Sequence, residues 1–229
     1  GKKVTAVEKS SSPAKVSLES GETVEAEKVL VSVGRRAVCD QETLDALKLE
    51  MNGRLIKVNR RMQTSSPGVY AIGDVIGTTY LAHGAFAEAE IAAENIAGHP
   101  AEMGDYDLIP KAIYTFPEVA SVGKSEKQCK DAGIDFTVGK SVFRSNGRSL
   151  AHNETTGEIR AIRDNKTNKV IGVTMVGATV TELLAVARAL LGTTEDICKI
   201  SFAHPTVSEV LKEAWEDAFG ISPHNLPRQ

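Results

Sequence analysis

The pattern of apolar and polar positions changes character twice along the chain. Residues 1–36 read as strands: VTAV (4–7), KVSL (15–18), ETVEA (22–26) and KVLVSVG (28–34), with turns at SSSP (10–13) and ESGE (19–22). The last run is apolar through VLVSV and stops at Gly34-Arg35-Arg36. That puts bare backbone and positive charge at a strand's carboxyl end, where α/β sheets bind ligands. Thirty-six residues of strand with no helix are too few for a domain, so this stretch is expected to belong to something larger. From 37 to 107 the pattern is mixed. Leu44, Leu47 and Leu49 suggest a short helix and RLIKVN (54–59) a strand. PGVYAIGDVIG (67–77) is a β run closing in Gly73-Asp74. A helix is expected from Leu81 to about Gly98, with Ala82, Ala85, Ala89, Ala92 and Ala93 letting it approach a sheet or flat ligand closely.

Residues 108–229 predict an α+β domain. Its strands are AIYTFPEVASVG (112–123), DFTVGKSVF (135–143), EIRAIRD (158–164) and KVIGVTMVG (169–177), the last two joined at T-N-K (167–169). Helices are expected at about 125–132, 179–191 and 206–219, and SPHNLPRQ (222–229) reads as a loosely packed arm. The 229 residues are 41% hydrophobic and 25% charged, an ordinary globular composition. A net charge of −3 gives no basic footprint for nucleic acid. The longest apolar run, LLAVARALL (183–191), falls far short of the ~20 residues of a membrane span, and GKKVTAVEKS has no signal-peptide core, so a soluble chain is expected.

Three distant cysteines, Cys39, Cys129 and Cys198, make no C-x-x-C pair and read as small buried hydrophobes of a reducing compartment. Nothing suggests a metal. Asp74, in AIGD after a β run, could accept hydrogen bonds from sugar or polyol hydroxyls; equally, it could cap a turn. In FAHPTVSEVLKEA (202–214), Thr206 and Glu209 match a capping box. A bend at Pro205 could also bring the Glu209 carboxylate to His204, fixing its tautomer and leaving the other ring nitrogen as acid/base. Both can hold together, Thr206 capping while Glu209 turns to His204. His83 could ligate or stack on a cofactor, or be structural; His99, His152 and His224 are assigned nothing.

In order and spacing, VLVSVGRR, PGVYAIGDV, YLAHGAFAE, YTFPEVASVG, FRSNGRS and AHPTVSEVLKEA resemble the flavin-dependent pyridine nucleotide–disulfide oxidoreductases over essentially the whole chain. The resemblance implies FAD and NAD as cofactors. It implies that Asp74 holds the ribityl or phosphate region of the flavin and that Tyr80, Leu81, Ala82 and His83 line it, Tyr80 being a departure from a frequent methionine. Gly34 would lie near the nicotinamide dinucleotide. His204 would exchange protons with a substrate dithiol, oriented by Glu209 and supplied by the partner subunit of a homodimer. HPTVSEVLKEA favours members that oxidise dihydrolipoamide, served by lipoyl domains and the acyltransferase core of 2-oxoacid dehydrogenase or glycine cleavage complexes. The implied organisation is the end of an NAD domain (1–36), a central FAD-contacting segment (37–107) and an interface domain (108–229). The sequence has no G-x-G-x-x-G and no C-x-x-x-x-C, so it resembles a carboxyl-terminal half, expected to be inactive alone. The expected location is the cytoplasm, or a mitochondrial or plastid matrix. Alternatives are another disulfide reductase of the family, or a non-catalytic dimerisation module.

Overall fold

The computed structural model describes residues 1–9, 13–192 and 197–224. The chain forms two compact units, Gly1–Arg36 and Ala37–Gln229. The first is an antiparallel meander of β1 (Val4–Glu8), β2 (Ala14–Leu18) and β3 (Thr23–Ala26). The β2–β3 turn falls at the expected ESGE, with Gly21 at φ +82°. The expected turn SSSP lies largely outside the described residues, as does most of the expected C-terminal arm.

The expected strand 28–34 does not form. Among the described residues no backbone in the unit forms a ladder with it, and Leu30 and Val33 are 90% and 92% exposed. An apolar β-branched run signals a preference for burial, but a strand also requires a neighbouring ladder.

In the second unit, α1 (Gln41–Leu47) is capped by Asp40, whose carboxylate accepts the Thr43 N–H. Of the expected strand 54–59, only β5 (Leu55–Ile56) is laddered, to β4 (Met51–Asn52). The expected β run VYAI is reduced to one bridge, Tyr70 with Gln63. The alanine-rich helix is α2 (Ala82–Ile96). Its small residues do bring backbone close: a Cβ on Gly73 would sit 3.3 Å from that of Ala85. Ile56, Met62, Ala71, Ile76, Ala92 and Met103 form one core here.

The rest builds a five-stranded antiparallel sheet in the order β6–β7–β10–β9–β8. Its strands are β6 (Lys111–Ile113), β7 (Glu118–Gly123), β8 (Phe136–Val142), β9 (Glu158–Asp164) and β10 (Lys169–Gly177). The single strand expected over 112–123 is broken between Ile113 and Glu118, where Pro117 has no N–H to give a ladder. The β9–β10 hairpin turns through 165–168, and Asp164 closes it by accepting from the N–H groups of Lys166 and Thr167.

Short helices α3 (Glu126–Asp131) and α4 (Gly147–His152) fall in the β7–β8 and β8–β9 connections. The helix expected over 179–191 contracts to α5 (Leu184–Leu190), since Thr179 lies in the left-handed region at φ +58°. The last helix is α6 (Ser208–Ala218), which packs on β8 and β9. Val210, Leu211, Ala214, Trp215 and Ala218 of α6 join Ile159, Ala161, Val173 and Met175 in the main core. Each large apolar side chain so buried contributes about 1.5–3 kcal/mol, against about 0–1 kcal/mol for an exposed ion pair, so packing holds α6 in place.

Candidate active site

Two groups of the expected residues can be followed within the second unit. The first centres on α6. Glu209, in its first turn, reaches back toward the segment before the helix: Oε1 lies 3.0 Å from His204 Nδ1 and Oε2 accepts the Thr206 N–H at 2.8 Å. Only the carboxylate arm of the expected capping box forms. The Thr206 hydroxyl donates instead to the Ala203 carbonyl at 2.8 Å, because Val207 already has helical geometry and takes the cap position. One glutamate therefore serves both the helix start and the histidine. The His204–Pro205 peptide is cis.

The two side chains differ sharply in exposure, 78% for His204 and 23% for Glu209. Partial burial pushes the Glu209 carboxyl up, but the Thr206 N–H and then the His204 ring outweigh it and hold the group below the ordinary carboxylate range. A carboxyl depressed on folding adds stability above its unfolded value, about 4.3, and loses it as pH falls through the folded value. Glu209→Gln is accordingly expected to flatten the acid limb of a urea-stability profile below about pH 5; an unchanged limb would contradict the account.

With Nδ1 committed to the carboxylate, Nε2 is the nitrogen left to meet a substrate. A cavity of about 390 Å³ lies beside the pair, lined by Phe202, Glu209, Lys212, Glu213 and His224 among others. His224 Nδ1 is 2.9 Å from Glu213 Oε1, and Ser141 Oγ donates to Glu213 Oε2 at 2.9 Å. Sequence reasoning assigned His224 nothing, because eleven residues separate it from Glu213.

The second group surrounds the start of α2. Asp74 is exposed in a single 3₁₀ turn, Gly73–Val75. Tyr80 enters the helix in the left-handed region at φ +54°, followed by Leu81 as N-cap and by exposed Ala82 and His83. His83 Nε2 lies 2.6 Å from the Pro110 carbonyl, tying α2 to the segment before β6. No side-chain cap bonds the first turn of α2. An uncapped helix start can receive an anionic group and an exposed carboxylate can accept from hydroxyls. Gly34 lies in the other unit, exposed at φ +117° with nothing near its Cα face.

What fixes this turn escaped the sequence reading. Glu88, fully buried on α2, accepts the Gly73 N–H at 2.6 Å, the Thr78 hydroxyl at 2.5 Å and the Tyr106 hydroxyl at 3.0 Å. A carboxylate removed from water is tolerated when its lone pairs are filled in this way. Burial, then the Glu88 carboxylate, push the Tyr106 phenol up to about 12. The folded state thus holds that proton more tightly than the unfolded chain. Stability from this group is intact below about pH 10 and falls as pH rises toward 12. Glu88→Gln leaves at least one donor facing an amide NH₂ and is expected to cost about 1.5–3 kcal/mol in urea unfolding; a cost near zero would refute the role given to Glu88.

Residues 109–215 match the dimerisation domain of the pyridine nucleotide-disulphide oxidoreductases, and residues 1–89 match the pyridine nucleotide-disulphide oxidoreductase domain itself. The chain belongs to the pyridine nucleotide-disulphide oxidoreductase family. Its similar relatives include dihydrolipoyl dehydrogenase of Bacillus subtilis, 42% identical over 206 residues, covering 88% of this chain and 44% of that protein. Mitochondrial dihydrolipoyl dehydrogenase of Caenorhabditis elegans is 37% identical over 197 residues, covering 84% of this chain and 40% of the relative. The chain thus spans less than half the length of these curated relatives.

Among solved structures, LpdA from Mycobacterium tuberculosis superposes with a TM-score of 0.86 at 23% identity, over 94% of this chain and 48% of that one. The flavoprotein disulfide reductase RclA from Escherichia coli gives 0.83 at 20% identity, over 93% and 50%. These likenesses establish the fold. Among the described residues, no helix is long and apolar enough to cross a membrane, and no group of three or more His, Cys, Asp or Glu side chains is placed to hold a metal ion.

Proposed function

We propose that this chain carries the proton-transfer dyad, the dimer-forming domain and part of the FAD- and NAD-binding surface of a dihydrolipoyl dehydrogenase. The observation that carries the reading is the 3.0 Å contact between His204 Nδ1 and Glu209 Oε1, with the ring otherwise exposed. His204 Nε2 accepts the proton of a dihydrolipoamide thiol as the thiolate forms, and returns it in the reverse direction. Glu209 holds the ring in the Nδ1–H tautomer and stabilises the imidazolium. Asp74 and the segment Tyr80–His83 bind FAD, and Gly34 lies along the NAD site. Bound FAD and NAD supply the electron and hydride chemistry between dithiol and nicotinamide.

The active unit is a homodimer, supported by the dimerisation-domain match and by Tyr114 and Phe116, 81% and 96% exposed beside β6. Its dithiol arrives on lipoyl domains of 2-oxoacid dehydrogenase or glycine cleavage complexes, in a bacterial cytoplasm or an organelle matrix. Cys39, Cys129 and Cys198 do not form the closely spaced redox pair that such a reaction uses, so the disulfide is supplied from outside these 229 residues. Purified chain given dihydrolipoamide, NAD and FAD is therefore expected to form no NADH. A robust rate would overturn this division of labour.

A further inference from the structure

His204 is mostly exposed, so packing does little to aim it, and its geometry depends on the turn that carries it. That turn is gripped at one residue, through the two peptide groups that flank its Cα. The Thr206 N–H donates to Glu209, and the Thr206 carbonyl accepts from Asn146 Nδ2 at 3.0 Å. Among the described residues, this second bond is the one that reaches Thr206 from outside the segment 203–209. Asn146 is 4% exposed and its other side-chain atom is also occupied. Oδ1 caps α4 by accepting from the Ser149 N–H at 3.0 Å and the Ser149 hydroxyl at 3.1 Å. The amide plane is thereby locked by α4 before it meets Thr206, sixty residues away in sequence. A buried amide with both ends engaged cannot rotate without stranding a polar group.

We infer that Asn146 is a positioning residue for the His204–Glu209 pair, fixing Thr206 by its carbonyl so that the N–H on the other side of its Cα and the Glu209 carboxylate together set the histidine ring. This deepens the proton-transfer reading above and rests on it for its functional meaning. The positioning itself is testable in this chain without turnover. The two ends of Asn146 can be separated, because serine is a good helix cap with no amide to donate, while Ser149→Ala removes a cap contact and leaves the Thr206 bond.

The measurement is nitrogen NMR of ¹⁵N-histidine-labelled chain at a pH where the rings are neutral, reading the His204 tautomer, with circular dichroism as a check on folding. In the parent chain the Nδ1–H form should dominate by about tenfold, the bias expected of a hydrogen bond to a carboxylate. Asn146→Ser should bring that ratio below about threefold while the helix signal is retained, and Ser149→Ala should leave it unchanged. If Asn146→Ser unfolds the chain, Asn146→Asp serves instead, since it also keeps the cap and lacks the donor. An unchanged tautomer ratio in a folded Asn146→Ser or Asn146→Asp chain would overturn the inference and leave Asn146 a helix cap alone. Loss of tautomer bias with no effect of His204→Gln on turnover would instead refute the proton-transfer reading and spare the positioning.

Discussion

If His204 is the proposed acid/base, replacing it with glutamine is expected to lower dihydrolipoamide-dependent NADH formation by at least about 100-fold, the low end of what a lost acid/base costs. The assay is made in a protein that joins these residues to the family's redox disulfide. Glutamine keeps a polar side chain of similar reach but cannot exchange a proton near neutral pH. The 78% exposure of His204 means that its removal vacates little packed volume, so the melting temperature should barely move. The loss should fall on the rate of dithiol oxidation, the step in which the ring is proposed to take the thiol proton. A variant with a near-normal rate would reduce Glu209 to a partner of the Thr206 N–H.

Gly139→Val is expected to be as damaging to the fold as His204→Gln is to chemistry. Gly139 lies on β8 where α6 crosses it, and a Cβ there would meet the Ala214 carbonyl at 2.1 Å and the Ala218 amide at 2.2 Å. Both are backbone atoms of α6 or its end, so no rotamer change relieves the clash and the helix itself must lift. Lifting it weakens the Lys140 N–H bond to Asp217 and the Ser141 bond to Glu213, and exposes Leu211 and Trp215. The expected cost is about 3 kcal/mol or more, the upper end of overpacking penalties. Chemical denaturation of the chain measures it. A loss under about 1 kcal/mol would show that α6 is not seated on β8 as described.

Much of this arrangement was legible in the residues. β-rich runs marked the segments that hold β7, β8, β9 and β10, and the alanine spacing marked α2, because each depends on side chains close in sequence. The His204–Glu209 contact was legible for the same reason: five residues and a proline bend suffice to bring them together. VLVSV misled because its composition carries no information about whether a strand is beside it. Pro117 cut a strand where the apolar pattern ran on. Glu88 carries no signal of its own in the sequence, since nothing local shows that Gly73, Thr78 and Tyr106 converge on it. Asn146 and Thr206 are sixty residues apart and meet only in the folded chain, a relation the linear order conceals.

The most direct test of the dyad is a double-mutant cycle on dihydrolipoamide turnover with His204→Gln, Glu209→Gln and both together. If Glu209 acts through the histidine ring, the double variant loses no more than His204→Gln alone, since a carboxylate has nothing to orient once the imidazole is gone. If the two losses multiply, the residues act independently and the relay described here is wrong.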